Sequence, residues 1–123
     1  MKLTNKQMDI YVRSLEKISD KVTGKLAYAV AKNLRKMTNE LVEYQNMNNE
    51  TIAKYGTLDD QGRYSIRIDS EEYLKYYKDM KDIQDMECDI DIQMVSPDVI
   101  ENSELNAQEI LAIDFMITEE NDG

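Results

Sequence analysis

The chain has 123 residues, a formal charge of −10, one cysteine and no histidine. A single cysteine excludes an intramolecular disulfide. The lack of imidazole removes the usual general base, Ser-His and Cys-His nucleophilic pairs, and histidine-built zinc sites.

One domain is expected at this length, over residues 1–117, burying roughly two thirds of the unfolded surface. Eight Met, eight Tyr, one Phe and no Trp predict a pliable, thinly aromatic core. Thr4 is placed as an N-cap, with Gln7 closing a capping box and Leu3 stapled to Met8. Apolar residues then recur at Met8, Tyr11/Val12, Leu15, Ile18 and Val22, a helical stripe broken between Asp20 and Gly24. The spacing of Val30, Leu34, Met37, Leu41 and Tyr44 predicts one long helix over 25–55, about 46 Å in length, closed by Gly56 as a C-cap. On that seam Asn48 is a candidate register residue of the coiled-coil kind.

Asp59-Asp60-Gln61-Gly62 is turn chemistry. Strict alternation over 64–68 predicts a half-buried strand. A helix capped by Asp69 or Ser70 follows, reaching Met86, with Tyr73, Tyr76, Tyr77, Met80 and Ile83 inward and Lys75/Asp79, Lys78/Asp82 and Lys81/Asp85 as i,i+4 pairs. A second strand is expected over 88–94, facing inward with Cys88, Ile90, Ile92 and Met94. Ser96-Pro97-Asp98 starts a short turn of helix. Asn106, boxed by Glu109, starts a last helix carrying Ile110, Leu111, Ile113 and Met116. Residues 118–123 read as a flexible acidic tail. The expected fold is α+β and mainly α: a helical hairpin over 4–56, then an acidic β/α part over 57–117 with a small two-stranded element and a short C-terminal helix.

The opening Met1-Lys2-Leu3-Thr4-Asn5-Lys6-Gln7, the helix start Gly24-Lys25-Leu26-Ala27-Tyr28-Ala29-Val30-Ala31-Lys32-Asn33, the close Lys54-Tyr55-Gly56, and the ending Leu105-Asn106-Ala107-Gln108-Glu109-Ile110 with Phe115-Met116-Ile117 form a pattern. In these stretches the chain resembles a family of small uncharacterised proteins of tailed phages and prophages of Gram-positive bacteria. The motifs are caps and seams rather than chemistry. The resemblance implies a phage accessory protein working in the cytoplasm of an infected host, and it implies no activity.

Charge is divided along the chain: residues 1–56 are net +4 and residues 57–123 net −14. A calcium loop centred on Gly62 fails, since its first and twelfth positions are Thr57 and Ile68. Convergent carboxylates at Asp85, Glu87, Asp89 and Asp91 have the composition of a Mg²⁺ site, but no Lys stands in nuclease spacing. They read instead as a solvated face or an acidic binding stripe, continued by Glu101 and Glu104. On the basic side, Asn33-Leu34-Arg35-Lys36 are candidate phosphate contacts, opposed by the overall charge. The expectation is a non-enzymatic protein without cofactor or metal. Its acidic surface, with Asp85, Glu87, Asp89, Asp91, Glu101 and Glu104 as partner-binding residues, blocks a basic nucleic-acid-binding surface of a host defence complex, in the manner of an anti-CRISPR or DNA mimic. The alternative is a virion-assembly or chaperone-like protein that binds a phage partner through Met37, Leu41 and Tyr44 of the long helix. Contact between two copies through basic and acidic faces is a further possibility; nucleic acid and membrane are not expected partners.

Overall fold

The computed structural model describes residues 1–119, and its fold is α+β, 61% helical. The chain starts with strand β1 (Lys2–Thr4), which runs straight into helix α1 (Asn5–Ile18). The expected capping box forms there: Thr4 Oγ1 accepts from the Gln7 N–H at 3.0 Å, and Gln7 Oε1 accepts from the Thr4 N–H at 2.9 Å. Met8, Val12, Leu15 and Ile18 then fall on one side of α1 and are buried, together with Leu3. A turn follows, in which Gly24 takes φ +61°, a left-handed conformation costly for any residue with a Cβ.

Helix α2 (Gly24–Glu40) lays Leu26, Ala29, Val30 and Met37 against α1. The single long helix of the sequence pattern is divided at Leu41, whose ψ of −2° interrupts the ladder. Leu41 still donates to Met37 and accepts from Gln45 while its side chain stays buried, so the bend turns the next helix off the main core. That helix, α3 (Val42–Tyr55), packs on α4 (Glu71–Gln84) instead of extending a seam for a partner. Met37, Leu41 and Tyr44 are buried within the chain.

Between α3 and α4 lies a hairpin of β2 (Thr57–Leu58) and β3 (Tyr64–Ser65). Asp59 closes its turn, as expected: its carboxylate accepts from the Gln61 and Arg63 N–H groups, each at 2.9 Å. The strand is two residues rather than five, and Ile68 is 79% exposed, because no core lies beneath it to reward alternation. Gly56 ends α3 in extended conformation, with φ −89° and not the left-handed cap. A glycine is still required, since a Cβ there would sit 2.5 Å from the Ile52 carbonyl oxygen and 2.7 Å from that of Ser65. No side chain from residue 45 to residue 79 is buried, so α3, the hairpin and α4 form an arm on a compact body. Within the arm, the Asn48 carboxamide accepts from the Tyr76 hydroxyl, and Tyr55 donates to Asp79 at 2.7 Å.

Strand β4 (Glu87–Asp89) pairs antiparallel with β1, with Leu3 opposite Cys88. The two strands expected to form one element therefore take different partners. Ile90, Ile92 and Val95 continue inward, while Met94 points outward at 37% exposure. Val95 bridges the 116–118 segment, its N–H donating to Met116 at 2.8 Å, but between Ile90 and Val95 no strand lies alongside among the described residues. Asn33 stands in for one, with its side chain wholly buried: its amide donates to the Gln93 carbonyl at 3.0 Å and accepts from the Gln93 N–H at 2.7 Å. Helices α5 (Pro97–Glu101) and α6 (Ala107–Ala112) and a 3₁₀ turn (Asp114–Met116) complete the body. The Asn106–Glu109 box forms as expected. Ile113 and Met116 are buried, Leu111 is exposed, and Phe115 stacks on Tyr11 with ring centroids 3.9 Å apart. Thr118 is not frayed, since its N–H donates to Val95 at 2.8 Å. The rest of the expected tail, residues 120–123, lies outside the described residues.

Candidate functional site, an acidic groove at the root of the arm

Where the arm leaves the body, α2 ends, α3 begins and the α4–β4 junction crosses beneath them. Asn5 holds this junction from α1, donating its amide to the Ile83 carbonyl at 2.8 Å and its backbone N–H to Met86 at 3.1 Å. The backbone bond gives the Met86 carbonyl a partner just past the end of α4, while the Ile83 carbonyl accepts from the Asp85 and Met86 N–H groups as well. The result is a groove of about 300 Å³ rimmed by Glu40, Glu43 and Glu87. Its floor is apolar, formed by Tyr44, Ile83, Met47 and Met86, the last two 42% and 61% exposed. Cys88 lines it too; burial first, then the Glu40 carboxylate beside it, pushes its thiol pKa up, so it is a poor nucleophile.

The six acidic residues expected to form a site do not come together. Asp85 caps the end of α4 beside the groove and Glu87 lines it. Asp89 is taken by the Met1 amine at 3.0 Å, which holds its carboxyl below the ordinary range. Asp91 receives Lys36, 3.7 Å from its carboxylate, and the same ammonium donates to its backbone carbonyl at 2.6 Å. Glu104 lines a different groove with Lys21 and Leu26 at the start of α2, where Glu101 ends the neighbouring α5. The length of α2, about 24 Å, separates that pair from Glu87.

Among the described residues, no cation lies within ion-pair distance of Glu40, Glu43, Asp85 or Glu87. Lys81 does not reach Asp85, and neither Lys75–Asp79 nor Lys78–Asp82 forms. In each pair the Lys precedes the Asp, the weaker order on a helix. Of the candidate phosphate contacts, Asn33 is buried, Lys36 is engaged by Asp91, and Arg35 is exposed. Glu40 and Glu43 were missed by sequence reasoning because they lie in the basic half. Their one signal was spacing, three apart at the end of a helical seam.

Another groove, of about 680 Å³, lies between the start of α2 and residues 93–99 and mixes Lys25, Tyr28, Met94 and Asp98 with no concentrated chemistry. No three His, Cys, Asp or Glu side chains among the described residues are placed to hold a metal, and no helix there is long and apolar enough to cross a membrane. Comparison with protein-family models, with curated proteins and with solved structures finds nothing that matches this chain.

Proposed function

We propose that this protein is a non-enzymatic binding protein whose acidic groove engages a basic surface of another protein. One observation carries this reading: Glu40, Glu43 and Glu87, drawn from both halves of the chain, line one groove with no cation at ion-pair distance among the described residues, while nearby Asp89 and Asp91 are neutralised. Fixed carboxylates of this kind compete for the Arg and Lys side chains that otherwise hold a phosphate backbone. In the setting implied by the phage resemblance, the target is a nucleic-acid-handling defence complex such as a CRISPR effector, in the cytoplasm of an infected host. The test is affinity capture from nuclease-treated infected-host lysate at low and high salt, comparing wild type with Glu40→Lys/Glu43→Lys/Asp85→Lys/Glu87→Lys. Salt-sensitive capture of a nucleic-acid-binding effector should disappear in the folded variant; undiminished capture refutes the reading.

A second reading, assembly with a phage structural partner, draws on the arm. Leu58, Tyr64, Ile68, Leu74 and Tyr77 are all exposed there, and none lies over a core. Capture through this surface should resist salt, since apolar contact is little screened, and be lost in Ile68→Asp/Leu74→Asp.

A further inference from the structure

The acidic groove has its chemical opposite on the same molecule. Lys6, Ile10, Arg13 and Lys17 follow one another at i, i+4, i+7 and i+11 on α1, which makes a straight stripe on the side away from buried Met8, Val12 and Leu15. All four are exposed, Ile10 at 51%. Exposed Ile between three cations matches exposed Met47 and Met86 between three carboxylates, in charge sign and in apolar centre. Methionine is suited to such a floor because its unbranched side chain adapts to what it meets.

We propose that a second copy of this chain fills the groove, with Ile10 of each copy on Met47 and Met86 of the other and Lys6, Arg13 and Lys17 facing Glu40, Glu43 and Glu87. Arg13 bonds Asp9 at 2.9 Å within its own helix, and the guanidinium has five N–H groups, enough to serve both. Asn5 lines the groove and Lys6 begins the stripe, so the two patches adjoin. A two-fold axis between them lets each copy fill the other's groove, which closes a dimer rather than opening a filament. The net charge of −10 repels copies at long range. At about 0.15 M salt the screening length is ~8 Å, which leaves the facing charges to decide. If the groove also serves the partner proposed above, dimer and complex exclude one another. That exclusion rests on the functional reading, whereas the dimer does not.

Sedimentation of the full chain over a range of concentrations at that salt tests the proposal. Wild type should dimerise. Glu43→Lys/Glu87→Lys and Arg13→Glu/Lys17→Glu should each associate at least tenfold more weakly, with unchanged circular dichroism. An equimolar mixture of the two variants should dimerise again, because each lysine-rimmed groove then meets a glutamate stripe and each native groove a native stripe. A wild type that stays monomeric, variants that dimerise like wild type, or a mixture that stays monomeric overturns the dimer. A monomeric wild type that still captures a basic effector refutes this inference and leaves the functional reading standing; a dimer that captures none does the reverse.

Discussion

Asn33 is the buried polar side chain among the described residues, and both ends of its amide are spent on the backbone of Gln93. Composition placed it among basic neighbours; its burial depends on a segment sixty residues away that has no strand beside it. Asn33→Ala removes both bonds and strands the N–H and C=O of Gln93, which should cost about 2–4 kcal/mol in urea unfolding. Lys36→Ala, one turn on, breaks a pair whose Asp91 partner is fully exposed and should cost under about 1 kcal/mol. Equal losses would show that Asn33 is no more than a surface contact.

At the scale of elements, stability is divided between a body with a core and an arm without one. Gly56 lies at the joint of α3 and the β2–β3 hairpin, where a Cβ has no room between two backbone carbonyls. Gly56→Ala should therefore open the hairpin, costing about 2 kcal/mol or more, and hydrogen exchange should quicken at Gly62 and Arg63 while α1 and α2 stay protected. Exchange that rises equally in α1 would mean that arm and body unfold as one unit. What was legible follows the same division. Both capping boxes, the break at 20–24, the Asp59 turn and the buried stripe of α1 are local devices, written within a few residues of where they act. The bend at Leu41 and the pairing of β1 with β4 depend on contacts between distant segments, and alternation over 64–68 misled because it carries no information about whether a core lies beneath.

For the whole molecule, the charge division was visible in the sequence, but its consequence was not, because folding spends carboxylates of the acidic half on cations of the basic half. Asp89 goes to the Met1 amine, Asp91 to Lys36 and Glu109 to Lys21, at 2.9 Å for the last. What remains as a site draws Glu40 and Glu43 from the basic half, so no count along the chain would have found it. The Lys21–Glu109 pair also fixes the turn after α1 to α6, and its pH behaviour follows from both partners. The Lys21 ammonium, and then the Asn106 N–H, hold the Glu109 carboxyl below its ordinary 4.5, while Glu109 raises Lys21 above 10.5. A lowered carboxyl binds its proton less readily folded than unfolded, so its contribution is complete above about pH 4.5 and is lost as pH falls through the folded value; that of Lys21 is complete below 10.5 and lost above it. Melting temperature should thus fall below pH 4.5, and Glu109→Gln should lower it at pH 7 while converging on wild type in strong acid. A constant gap between the two proteins at every pH would assign the role of Glu109 to its cap on Asn106, which glutamine preserves only in part, and not to its charge.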